Sequence, residues 1–169
     1  MNRKHLGIYL NDHLAGAAAG GALARRCLAN NRGTALGAFL EGLVTEIEED
    51  RRSLETMMER LDVARSPWKG PAARLAEKAG GLKLNGKLLG YSDLSRVEEL
   101  EGLLLGVTGK LTLWRTLERI AGREAKLERA ELSVLAERAE RQVKTLEGHH
   151  QDAAEVAFGR DLSDRVAED

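Results

Sequence analysis

An all-α fold, four long helices packed as a bundle, follows from three features of this 169-residue chain. Apolar residues recur at alternating spacings of three and four through four long stretches, the period of one helix face. The two prolines, Pro67 and Pro71, fall in one central stretch and leave the rest free of helix breakers. Hydrophobic residues make up 43% of the chain but aromatic residues only 4%, so the core must be built from Leu, Ala, Val and Ile.

The first helix is expected over residues 3–29, with Leu6, Leu10, His13, Ala17, Gly20, Ala24 and Cys27 on its inner stripe. Its second half, Ala15-Gly16-Ala17-Ala18-Ala19-Gly20-Gly21-Ala22, is nearly all small. Such glycines cost a helix roughly 1 kcal/mol each, but small side chains let a neighbouring helix come close. Asn30-Asn31-Arg32-Gly33 supplies a left-handed stop. Thr34 then caps a second helix running to about residue 62. Its stripe is Leu36, Leu40, Leu43, Ile47, Asp50, Leu54, Met57 and Leu61, a near-heptad run with Asp50 as the misfit.

Residues 62–92 read as a long crossover, with a short helix over 72–79 after Pro71 and a glycine-punctuated stretch behind it. Arg65, Lys69, Arg74, Lys78, Lys83 and Lys87 there face only Glu77, which marks either a solvated connection or a docking patch for an anion or acidic partner. The pattern Ser95-Arg96-Val97-Glu98 is a capping box that opens the third helix, which ends at Gly122. Its apolar positions are Leu94, Val97, Leu100, Leu104, Val107, Leu111 and Trp114, with Glu101 inside the stripe. Leu103-Leu104-Leu105 add a second apolar side. The fourth helix is expected over 125–158, with Leu132, Leu135, Ala139, Gln142, Leu146, His149, Ala153 and Val156 inward, and a polar tail at 160–169. Residues 1–159 thus read as one domain. The two short turns make each hairpin antiparallel, and the crossover lets the second helix run parallel to the third.

Charge and cysteine content narrow the function classes. Lys+Arg 26 against Asp+Glu 27 gives a formal net charge of −1, which argues against nucleic-acid binding. The Ala/Gly run is too short and too weakly hydrophobic to span a membrane. Cys27 is the only cysteine, and a reducing, cytoplasmic setting is expected.

The misfits of the four stripes carry the chemistry. A carboxylate on a core stripe is costly unless it is paired or bound. Reflecting the first hairpin through Asn31–Arg32 sets His13 opposite Asp50, and reflecting the second through residues 124–125 sets Glu101 opposite Glu147 to His149. A mid-bundle layer of His13, Asp50, Glu101 and His149 or Glu147 follows, with Glu46 one turn from Asp50 and Asp12, Gln142 and His150 beside it. His13 and Asp50 are expected to interact directly. A carboxylate raises a histidine pKa and burial lowers it. Other chemistries fit worse: Gly102 to Lys110 lacks the spacing and the preceding strand of a phosphate loop, and Cys27 lies far from His13, as a buried hydrophobe would.

With two antiparallel helix pairs, one long crossover and mid-bundle carboxylates and histidines, residues 3–158 resemble the ferritin-like superfamily. That resemblance implies a di-iron or di-manganese site, with one Glu from each of two helices and a Glu-x-x-His from each of the others. Glu101 suits the lone Glu of the third helix, and Glu147 with His150 makes a Glu-x-x-His. The second helix departs from the pattern, offering Glu46 and Asp50 but no histidine, and the first offers Asp12-His13. On the strict heptad it is His149, not Glu147 or His150, that points inward. Two readings follow. One is a non-catalytic ferritin-like bundle that acts through assembly or partner binding, with no cofactor and a buried polar layer in place of a full metal pair. The other is a di-metal carboxylate protein that stores iron or manganese or acts as an oxidase. The surplus apolar surface of the third helix points to a homodimer.

Overall fold

The computed structural model describes residues 2–66 and 91–159. They form four helices and no strand: α1 (Arg3–Asn30), α2 (Ala35–Arg60), α3 (Asp93–Ala121) and α4 (Arg129–Phe158). The expected helix over 72–79, the basic positions from Lys69 to Lys87 and the tail 160–169 lie outside the described residues.

Side-chain oxygens start three of the helices. Asn2 accepts from the His5 backbone N–H, Thr34 from Gly37 and Ser92 from Ser95, which satisfies amides that no helical carbonyl reaches. α3 therefore begins one turn before the expected capping box, because Ser92 already takes the Ser95 amide at 3.1 Å. α1 stops where expected, at a turn whose Gly33 has φ +78°. α2 stops through a left-handed Asp62, φ 56°, with the Val63 N–H bonded back to the Met58 carbonyl. α4 starts at Arg129, four residues later than its sequence suggested. The reason is Leu127, which is tucked into the core from a loop that Glu124 anchors by accepting from Arg3 at 2.9 Å.

The directions follow from paired positions. Gly7 lies against Val63 and Gly21 against Ile47, so α1 and α2 are antiparallel. Lys110 reaches Gln142 and Arg115 reaches Glu140, so α3 and α4 are antiparallel. Arg26 binds Glu99 and Arg96 binds Asn31 across α1 and α3. Phe39 stacks near His149 and Arg60 binds Glu131 across α2 and α4. α2 and α3 are therefore both antiparallel to α4 and parallel to each other.

The core is two apolar clusters rather than one. The first gathers Leu10, Leu54, Met57, Trp114, Leu117, Leu132 and Leu135. The second gathers Cys27, Leu40, Leu43, Leu100, Leu103, Val107 and Leu146. Full burial of each large side chain stabilises the fold by about 1.5–3 kcal/mol. What lies between the clusters is polar. Among the described residues no helix is long and apolar enough to cross a membrane.

Candidate functional site

Between the two apolar clusters, α2, α3 and α4 each send one polar side chain inward. Asp50 of α2 is 2% exposed, and the side chain of Lys110 on α3 is 14% exposed. The Lys110 ammonium donates a very short hydrogen bond to Asp50 Oδ2 and a second, at 2.6 Å, to Gln142 Oε1 of α4. The Gln142 amide turns its Nε2 outward and donates to Glu46 Oε2 at 2.6 Å. Arg138, one turn before Gln142, lies 3.5 Å from Asp50 Oδ1 and binds Glu49 at 2.6 Å. The Asp50 Oδ1 atom is buried with no hydrogen bond of its own.

This layer is held in place by helix register. Asp50 falls three residues after Ile47 and four before Leu54, and Lys110 three after Val107 and four before Trp114, so all lie on inward arcs. By the pairings given above, α1 presents Ala15-Gly16-Ala17-Ala18-Ala19 at this height, with no polar group of its own. Burial is the largest influence on both charges. It raises the Asp50 pKa and lowers that of Lys110, while each charge holds the other against the shift.

The layer opens outward at the α2–α4 seam. A cleft of about 330 Å³ there is lined by Ala38, Phe39, Leu43, Glu46, Arg138 and Gln142 among others. Small residues make the opening: nothing stands within 4 Å of where a Gly42 side chain would begin.

The sequence-derived layer is thus replaced by another. His13 and Asp50 do not meet. His13 is half-buried with its ring edge-on to Tyr9, the centroids 4.6 Å apart, and burial lowers its pKa despite the opposing charge of Asp12. The reason is register. Gly37 has no side chain, and one built there would collide with the Asn31 carbonyl. The first turn of α2 therefore lies flat against the end of α1, and position 13 stands level with Glu55 to Met57, about two turns from Asp50.

Glu101 is exposed, which corrects its place on the core stripe. It lies about 100° around the helix from Leu100, whereas the buried arc of α3 runs through Val97, Leu100, Leu103, Val107, Leu111 and Trp114. The buried carboxylate of α3 is Glu99, 5% exposed. On α4, Glu147 is exposed and His149 and His150 are half-buried, with His149 tilted over Phe39 at 5.1 Å between ring centroids. Of the seven residues singled out, His13, Glu46, Asp50, Glu101, Glu147, His149 and His150, the structure links Glu46 with Asp50 through Gln142 and Lys110, and the other five stand apart. Among the described residues no three of His, Cys, Asp and Glu stand close enough to hold a metal ion. The donor set around Asp50 contains a lysine ammonium, which does not suit a metal pair.

A second polar cluster closes one end of the bundle. Glu99 accepts from Arg26 at 2.6 Å and from the Tyr91 hydroxyl at 3.2 Å. Asn31 donates to Tyr91 at 2.9 Å and to the Cys27 carbonyl at 2.8 Å, and accepts from Arg96 at 2.8 Å. Burial and the nearby Glu99 charge push the Cys27 thiol up to about 12, so it is an inert core group. Of the basic positions expected to form a docking patch, Arg65 is described, and it is turned onto Glu59 at 2.6 Å and Glu55 at 3.7 Å. No family model, curated protein or solved structure matches this chain.

Proposed function

We propose that this protein is a non-catalytic helical bundle of the ferritin-like kind, working in the cytoplasm through self-assembly or partner binding. The observation that carries this reading is the position of Lys110. Its ammonium occupies the centre of the polar layer and already neutralises Asp50. A metal pair in a bundle of this kind needs carboxylates and histidines converging on that height. Here the height is filled by a lysine, a glutamine and the small residues of α1.

The layer acts as a spacer that fixes which helices lie side by side, much as one buried polar residue fixes register in a coiled coil. Function then falls to the outer surfaces. Leu105 is 70% exposed and Leu94 50% exposed on α3, an apolar surplus that supports docking of a second copy or of a partner protein.

Elemental analysis of untagged protein purified without chelators tests the reading, together with sedimentation over a range of concentrations. Substoichiometric metal is the expected outcome, and sedimentation tells whether a second copy or another protein takes the exposed surface of α3. About two iron or manganese ions per chain would overturn the proposal in favour of a di-metal storage or oxidase protein.

A further inference from the structure

Five carboxylates and three large apolar side chains share one outer face of the bundle. On α3, Leu94, Glu98, Glu101 and Leu105 follow one another at spacings of four, three and four, and all are exposed. The same stripe continues through Thr108 and Thr112 to Arg115. On α4, Glu140, Lys144, Glu147, Gln151, Glu155 and Phe158 form the matching exposed stripe. Arg115 binds Glu140 at 2.6 Å, which ties the two stripes edge to edge. Because α3 and α4 are antiparallel, the Leu94 end of one stripe lies beside the Phe158 end of the other. Leu94, Leu105 and Phe158 are 50%, 70% and 61% exposed.

Among the described residues, no basic side chain pairs with Glu98, Glu101, Glu147 or Glu155. Lys144 and Arg115 are the cations of the two stripes, and Arg115 is taken by Glu140. The whole chain carries a formal charge of −1, so the acidity of this face is a local concentration rather than a share of a general excess. The described residues that flank 67–90 bond to α1 and its end: the Ser66 N–H donates to Asn11 and Asn31 donates to Tyr91.

We propose that these joined stripes are a docking surface for a basic amphipathic helix of a partner protein. The inference rests on the partner-binding reading given above and names the chemistry of the partner. Leu94 and Leu105 lie about 16 Å apart along α3, a span that three turns of a docked helix cover. The apolar side of that helix packs on Leu94, Leu105 and Phe158, as helices do in hydrophobic grooves. Its flanking lysines or arginines face Glu98, Glu101, Glu147 and Glu155, which adds rate and selectivity more than affinity.

The test uses the full-length protein and a fluorescein-labelled synthetic helix of leucine and lysine, with leucines at helical spacing. Fluorescence anisotropy should show saturable binding that weakens with added salt. Leu94→Ser with Leu105→Ser, and separately Glu98→Lys with Glu101→Lys, should each weaken it about tenfold or more, a loss of about 1.4 kcal/mol. Ile8→Ser and Glu41→Lys, exposed positions on α1 and α2, should leave it unchanged. All of these sites are exposed, and circular dichroism confirms that each variant folds. Absence of saturable binding overturns the proposal. So does equal binding of a scrambled peptide of the same composition, or equal loss in the α1 and α2 variants. Sedimentation separates this proposal from its parent. A wild-type dimer that the Leu94→Ser, Leu105→Ser variant converts to monomer would make a second copy the occupant, overturning the partner helix and leaving the assembly reading intact. About two bound metals per chain would overturn the assembly reading itself.

Discussion

Burial is the largest influence on the pKa values of three polar groups inside this bundle, and His13 shows it most simply. Its ring is half-buried against Tyr9, and loss of hydration outweighs the nearby Asp12 charge, so its pKa falls below 6.5. A histidine whose folded pKa is depressed favours folding above its unfolded value, and that contribution is lost as the pH falls through the folded pKa. The protein should therefore melt at a lower temperature at pH about 5 than at pH about 7.5, the window below the unfolded histidine value of about 6.5. In His13→Gln the gap between the two melting temperatures should narrow. A gap that is unchanged would mean that other groups carry the acid sensitivity. A direct Asp50 partner would have reversed the sign, with stability lost on raising the pH instead. Asp50 is taken by Lys110, so that reversal is not expected.

At the scale of the element, the glycines of α3 separate two roles that look alike in sequence. A side chain at Gly102 would begin 3.0 Å from Leu23 of α1, whereas Gly106 and Gly109 have nothing within 4 Å. Gly106→Ala and Gly109→Ala should each stabilise the protein by about 0.5–1 kcal/mol through helix propensity alone. Gly102→Val should cost about 1–3 kcal/mol by overpacking against α1. Urea denaturation of the three variants checks both signs, and a stabilising Gly102→Val would show that α1 and α3 are not in close contact there. The same contrast marks what was legible in the sequence. The inward faces were legible except at the helix ends, where Leu94 and Val156 are 50% and 41% exposed, because helical period survives any shift of one helix along another. Every stripe position expected of α2, from Leu36 to Leu61, is buried. The heights of the helices were not legible. They depend on Gly37 lying against the Asn31 carbonyl and on Leu127 drawing the second turn into the core, and neither contact leaves a periodic trace. Lys110 was passed over within a glycine-rich run that resembled a failed phosphate loop. Its spacing, three after Val107 and four before Trp114, was the available signal that it faces inward.

At the scale of the whole molecule, the layer of Asp50, Lys110 and Gln142 divides one potential core into two, and the division has an energetic signature. Taking a carboxylate and an ammonium out of water costs several kcal/mol each, and their mutual attraction returns that cost only when both are present and well bonded. Here both are present, Lys110 bridges Asp50 and Gln142, and Gln142 passes its other hydrogen bond to Glu46; Asp50 Oδ1 makes no hydrogen bond and has Arg138 3.5 Å away. Removing one partner strands the other. Asp50→Ala and Lys110→Ala should each destabilise the protein by about 3–5 kcal/mol, well above the cost of an exposed ion pair. Replacing both by apolar residues of similar size, Asp50→Leu with Lys110→Met, removes the charges together and leaves Gln142 as the polar group between the two clusters. That double variant should be more stable than either single variant, the gain from removing the buried pair being offset by about 1–3 kcal/mol for the Gln142 carbonyl left without a donor. Urea denaturation of the two single variants and the double variant gives all three values. The coupling between the sites should be large, because the residues touch. Single variants that lose less than about 1 kcal/mol would match a solvated pair and would mean that water reaches the layer. In that case the centre of the bundle would be wet, and its helix register would be set by the apolar clusters alone.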